Sequence, residues 1–275
     1  VTPPSISSNT CFLRGTHAKK GRTEWLSPSS GAVRQLHYGR IILDADAPPM
    51  RFENGTRETG LICLSGQAEV KACGSTFSLG PYDSLYVPRD SEMEVTVKQS
   101  CDLAEISAPV ERAYPVQFVP YAEVQSDPGL HFKTGSASFE RTVNILIGKN
   151  VEAGRILAGV TFSQPGNWTS WPPHEHAEIL EEAYIYIAMP PPAWGMQFVY
   201  TDPKEPELVE VVREGDCVVM PAGYHPNVAA PGGSINFLWI MAAHREEVDR
   251  QFGVVNVQPE YAGGGTGLES GRAAK

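Results

Sequence analysis

The segment PPHEHAEILEE places His174 and His176 two residues apart, so in extended backbone both imidazoles project from the same face. Glu181 follows five residues after His176, and His225 closes the later stretch VVMPAGYH. Three imidazoles and one carboxylate suit Mn, Fe, Co, Ni or Zn, and such a set leaves one or two coordination positions open. Open positions favour a metal that takes part in chemistry over one that only holds the fold. An isolated HxH is also a common surface pair. Gly166 ahead of it, and Gly215-Asp216, Pro221 and Gly223 before His225, make the whole constellation more specific than the histidine pair. Glu182 adjoins Glu181, and consecutive strand residues face opposite sides, so only one reaches an ion unless a bulge intervenes. Spacing favours Glu181 as the ligand, which leaves Glu182 as a neighbour of the ligands or a solvated charge.

Other residues near these motifs could line a pocket. Tyr224 directly precedes His225 and is a candidate substrate contact, while Trp171 and Tyr184 are candidate pocket walls. For the aromatic residues on a barrel face, packing is the simpler role.

Short runs of β-branched and aromatic residues bounded by turn formers must position these groups. VRQLHYGRIIL, TGLICLSGQAEV and SLYVP lie in the first half, and AYIYIAM, GMQFVY, DCVVMP and INFLWIM in the second. Strands this frequent predict an all-β barrel or sandwich. No long 3.6-residue apolar period appears, although AHREEVDR could form a short helix. A faint repeat underlies the pattern. Each half carries a strand pair, then a glycine shortly before an aspartate (Gly80 with Asp83, Gly215 with Asp216), then an apolar strand ending at Pro88 or Pro221. Two similar β-units predict two β-barrel domains in tandem, residues 1–125 and 126–260. The glycine-rich end, 261–275, reads as a flexible tail with little to bury. Around GLICLSG there is no HxH, and no histidine follows SLYVPRD, so the first domain is expected to lack a metal site.

A formal charge of −10, from 22 basic and 32 acidic side chains, argues against a nucleic-acid partner, which needs a concentrated basic surface. No run approaches the ~20 apolar residues of a membrane helix, and VTPPSISSNT lacks a secretory pattern. Five cysteines without a CxxC pair fit reduced thiols and a cytoplasmic location. Asn167-Trp168-Thr169 matches a glycosylation acceptor, which without a leader is read as chance.

The two histidine segments resemble the two metal motifs of the cupin superfamily. His174, His176 and Glu181 match the first, and Gly215, Pro221, Gly223 and His225 the second. Two departures are visible. Tyr224 alone separates Gly223 from His225 where two residues are usual, and Ala229 stands where asparagine is frequent. WTSWPPHEHAEILEEAYIY, VREGDCVVMPAGYHPNVAAPGG and GSASFERTVNILI resemble the 5-deoxy-glucuronate isomerases of myo-inositol breakdown, densely from about Phe139 to Ala243. That resemblance implies two tandem cupin-type domains and a metal-dependent conversion of 5-deoxy-D-glucuronate to 2-deoxy-5-keto-D-gluconate. It also implies a divalent metal, Zn or Mn, and no organic cofactor.

An aldose–ketose isomerisation passes through an enediol, whose developing oxyanion a divalent metal can stabilise while a base moves the proton. A uronate also carries a carboxylate that calls for an arginine, for which Arg141 and Arg155 are the candidates in the metal-bearing half. The expected partner is a small-molecule uronate, with homo-oligomerisation left open. A cupin-type Fe(II) dioxygenase and a non-catalytic sugar-binding cupin are the competing readings.

Overall fold

The computed structural model describes residues 5–269 and 271. Two β-barrels, each built from two antiparallel sheets, account for most of them. In the first, the major sheet runs Gln117–Val119, Ser84–Val87, Arg57–Gly66, Ser100–Pro109, His37–Asp44, Gly21–Leu26. A four-stranded sheet faces it, and Leu61, Cys63, Leu85, Val87 and Leu103 fill the space between with Val70 and Val95.

The second major sheet repeats that order: Phe12–Leu13, Cys217–Met220, Leu180–Tyr186, Phe237–Ala243, Ile156–Ser163, Arg141–Ile147, with His131–Thr134 added at the far edge. Its facing sheet holds Trp168–Thr169, Asn227–Ala229, Gly195–Val199 and Leu208–Val212. The expected all-β tandem architecture is therefore present.

The barrels exchange edges. Phe12–Leu13 precedes the first barrel yet pairs with Cys217–Met220 of the second, while Gln117–Val119 pairs back onto Ser84–Val87 of the first. A clean division at 125/126 is thus corrected, because residues 12–13 belong to the second sheet and the cut would fall inside the helix Tyr121–Ser126. The repeated aspartates hold these exchanged segments. Asp83 accepts N–H bonds from Gly80, closing its turn, and from Tyr121; Asp216 accepts from Arg213, closing its turn, and from Gly15.

A second reciprocal device joins the barrels. Glu58 accepts the backbone N–H groups of Gly154, Arg155 and Ile156 at 2.6–2.8 Å, and Glu181 accepts those of Arg34, Gln35 and Leu36 at 2.5–2.8 Å. Each carboxylate caps the segment entering the other barrel's sheet. Both are buried, where charge-assisted bonds satisfy the anion and the strand-entry N–H groups together. One apolar cluster runs on between the two barrels, including Tyr38, Ile62, Ile106, Ile147, Leu157 and Ile185.

Two local expectations are corrected. Residues 244–250 form turns rather than a helix, because the Asp249 carboxylate folds back on both the backbone N–H and the guanidinium of Arg245. The glycine-rich end, largely exposed, has local structure: Pro259–Gly264 is a 3-10 helix, and Tyr261 meets Trp171 edge-on at 4.9 Å between ring centres. One of its glycines serves close approach. A Cβ on Gly267, at φ +71°, would lie 2.9 Å from Arg141 Nη2. Residues 270 and 272–275 of that segment lie outside the described residues.

Candidate metal centre

His174 lies in the two-residue strand His174–Glu175, which pairs with Asn256–Val257, and His176 opens the turn that follows. His225 sits where the chain leaves Cys217–Met220 and Pro221-x-Gly223 turns it inward. Gly223 takes φ +88° and sits too close to the Tyr200 carbonyl for a side chain, a Cβ there falling 2.7 Å from that oxygen. The three rings converge, with centres 4.9 Å apart for His174–His225, 5.3 Å for His176–His225 and 6.3 Å for His174–His176.

The carboxylate among them is Glu182, not Glu181. Glu182 Oε2 lies 2.9 Å from His176 Nε2 and 3.1 Å from His225 Nε2. These three residues bring one donor atom each within 4.8 Å of one another, and theirs is the one such cluster found among the described residues. Strand parity is obeyed: Glu182 and Tyr184 face the barrel interior, and Glu181 faces the first barrel. Motif spacing from His176 favours Glu181, but after the turn at 177–179 the strand Leu180–Tyr186 presents Glu182, on the parity of His174 and His176, to the imidazoles.

Ladder register shows the relation to the first barrel. Glu182 pairs with Met220, just before Pro221, and Thr59 pairs with Val87, just before Pro88. Thr59 therefore stands where Glu182 does, and Glu58 where Glu181 does. The first barrel keeps the carboxylate that joins the barrels but not the one that could hold an ion.

Each imidazole is oriented from behind. His174 Nδ1 is 2.9 Å from the Pro172 carbonyl, His225 Nδ1 is 2.9 Å from that of Gly223, and His176 Nδ1 is 3.4 Å from that of Leu180. A carbonyl takes a proton from Nδ1 and leaves Nε2 as the free donor atom, the arrangement metal-binding histidines use. His225 Nε2 is buried and, although 3.1 Å from Glu182 Oε2, makes no well-aligned hydrogen bond. A buried ring nitrogen left in this state fits a metal ligand better than a packing residue. The donor set, three imidazoles and one carboxylate, fits a divalent transition metal.

The electrostatics agree. Burial alone would raise the Glu182 carboxyl, but the charges and hydrogen bonds of His176 and His225 hold it at about 2. Burial also opposes charge on His176, yet the Glu182 carboxylate raises its pKa. His174 is pushed down to about 3 by burial, then by the charge of His225. Tyr184 is raised well above the usual phenol by burial and by Glu182, so it stays a neutral donor.

A narrow cavity opens beside the cluster, lined by His174, Glu182 and Tyr184 together with Arg141, Ser170, Phe237, Trp239, Met241, Phe252 and Leu268. Its volume is about 40 Å³, with Leu268 of the C-terminal segment forming part of the wall. Tyr184 stacks on Phe237 at 4.1 Å and meets Ser170 Oγ at 2.8 Å from its hydroxyl.

Three sequence candidates stand elsewhere or do other work. Tyr224 is outside the lining, with its ring 5.7 Å from that of Tyr200, because its backbone bridges to Tyr200 and turns the side chain away from His225. Arg155 is consumed by the carbonyls of Pro109, Ala243 and His244, joining the barrels rather than facing the cavity. Trp171 backs the site from between Trp168 and Tyr261 without lining the cavity. Phe237, Trp239 and Met241 were missed, although their alternation in FLWIMAA marks a shared face.

A family model described as the KduI/IolB family matches residues 14–256. This chain belongs to that family. It is 31% identical over 241 residues to a 5-deoxy-glucuronate isomerase of Geobacillus kaustophilus, covering 82% of this chain and 85% of the relative. An IolB-like protein from Salmonella typhimurium superposes with a TM-score of 0.81 at 25% identity, covering 92% of this chain and 98% of that one. A cupin 2 conserved barrel protein from Leptotrichia buccalis, at 14% identity and a TM-score of 0.51, covers 88% of this chain and 92% of its own and shares the fold. The KduI/IolB member described here is an enzyme, an isomerase. Among its described residues no helix is long and apolar enough to cross a membrane.

Proposed function

We propose that this isomerase converts 5-deoxy-D-glucuronate to 2-deoxy-5-keto-D-gluconate in the cytoplasmic breakdown of myo-inositol, at the centre formed by His174, His176, Glu182 and His225. The observation that carries the reading is the approach of His176 and His225 Nε2 to one buried carboxylate, Glu182, with the His174 ring 4.9 Å from that of His225 and each ring oriented by a backbone carbonyl, beside a cavity. His176, Glu182 and His225 would hold a divalent ion, Zn or Mn, with His174 as the fourth ligand. Such an ion supplies Lewis-acid polarisation of a carbonyl and its neighbouring hydroxyl.

The rest of the chemistry belongs to the chain. Tyr184, neutral and backed by Ser170 Oγ, is placed to donate to the oxygen that gains charge as the enediol forms. Phe237, Trp239 and Met241 form an apolar wall that excludes water and strengthens each polar contact inside. Moving a proton between adjacent carbons consumes no oxidant, so turnover needs neither nicotinamide nor O₂.

The test is turnover of 5-deoxy-glucuronate by purified protein of measured metal content. Activity should disappear with a chelator, return with Zn or Mn, and persist without oxygen. Product made in heavy water should carry deuterium next to the carbonyl. A strict requirement for O₂ would move the site to dioxygenase chemistry. A fully metallated protein that binds uronates but turns none over would be a sugar-binding cupin.

A further inference from the structure

Arg141 begins the strand Arg141–Ile147, and its side chain is only 2% exposed. Two other deeply placed arginines have more and shorter acceptor contacts. Arg40 makes a two-pronged pair with Asp102, and Arg250 bonds the carbonyls of Ile156 and Gly148. Arg141 has one hydrogen bond, a long one of 3.3 Å from Nη1 to the Phe139 carbonyl, and no acid within ion-pair distance among the described residues. Burial holds its guanidinium down at about 10, outweighing the opposing influence of Tyr184 and Glu269, neither of which is within ion-pair distance. A buried, unpaired charge is costly for a fold that gains nothing from it.

The position explains what is gained. Arg141 lines the same cavity as His174, Glu182 and Tyr184. Gly267 packs its backbone close to Nη2, where a Cβ would lie 2.9 Å away, so the C-terminal segment holds the guanidinium at the cavity without crowding it with a side chain. A planar guanidinium with N–H donors left after its single long bond to the Phe139 carbonyl can pair a carboxylate in a bidentate fork.

We propose that Arg141 is the carboxylate anchor of the sugar-acid substrate, a specificity-determining residue that binds the acid end while the other end of the molecule reaches the His/Glu cluster. The assignment rests on the proposed isomerase reading for its substrate, while its binding arm stands apart from turnover. A carboxylate supplies the counter-charge that the chain withholds, so discrimination between an acid and its uncharged analogue comes from this residue.

The experiment compares the wild type with Arg141→Met and Arg141→Lys in the metal-loaded full chain. KM for 5-deoxy-glucuronate should rise about 10- to 100-fold in Arg141→Met, the effect of losing a charge-assisted pair, and less in Arg141→Lys. Activity on the analogue with a hydroxymethyl in place of the carboxylate should hardly change. Calorimetric binding of gluconate against glucose should show the wild type preferring the acid and Arg141→Met losing that preference. Melting temperature is the readout that a structural arginine would move. It should hold or rise in Arg141→Met, since an unpaired buried charge is removed. A lowered melting temperature with equal losses on acid and neutral sugar would make Arg141 a packing residue and overturn the assignment. An unchanged acid preference would overturn it too. A wild type that prefers gluconate but isomerises nothing would leave the anchor standing and remove the isomerase reading.

Discussion

Exchanging Glu181 for glutamine, and separately Glu182, tests whether adjacent carboxylates do two unrelated jobs. Glu181 accepts three N–H groups from the first barrel. An amide of the same shape keeps one acceptor oxygen and turns an NH₂ toward a backbone donor. Hydrogen bonds to charged groups contribute about 1.5–3 kcal/mol each, and a donor left facing a donor costs a similar amount. Water reaches the exposed side of Arg34, so we expect a net loss of about 2–4 kcal/mol rather than the full sum. For 275 residues the unfolding entropy is about 0.6 kcal/mol/K, which converts that loss to a fall of about 3–7 °C in melting temperature. Metal content should remain that of the wild type. Glu58→Gln, its counterpart at the other crossing, should behave alike. Glu182→Gln should do the reverse, binding metal at least 10- to 100-fold more weakly, since loss of even an outer partner of a ligand costs that much. Scanning calorimetry and elemental analysis of the same samples read both quantities. Loss of metal from Glu181→Gln with retention in Glu182→Gln would refute the parity argument and the register behind it.

Further outcomes follow from the same geometry. Metal affinity should rise with pH and level off above the raised pKa of His176, because an ion must displace the proton that Glu182 helps His176 retain, which competition titrations at several pH values will show. Tyr184→Phe should keep its metal, lose about 1 kcal/mol of stability with the Ser170 bond, and lower kcat more than it changes KM. Gly159→Ala should destabilise by about 3 kcal/mol or more in denaturant unfolding, because a Cβ there would sit 2.2 Å from both the Asn144 carbonyl and Trp239 in the cavity wall.

The sequence by itself determined the strands, the doubling and the histidines. Period-two apolar runs and turn residues specify β-structure locally, and Gly80/Asp83 with Gly215/Asp216 mark turns whose hydrogen bonds are made within four residues. His174 and His176 are read from one extended segment, and Pro221 and Gly223 from the turn that delivers His225. Tertiary structure decided which glutamate joins them. Parity says that Glu181 and Glu182 point apart, and motif spacing favours Glu181, but the ladder that pairs Glu182 with Met220 turns Glu182 to the histidines and Glu181 to the other barrel. The exchanged edge Phe12–Leu13 depends on pairing with Cys217–Met220 in the far half of the chain, which no local pattern encodes. The same holds for Arg141 and Arg155. As sequence they are two arginines in one half, and only the acceptors around each show that one is satisfied by carbonyls while the other faces the cavity. Glycines misled for a related reason: composition reads Gly267 as slack, whereas its missing side chain is what lets the backbone lie against Arg141.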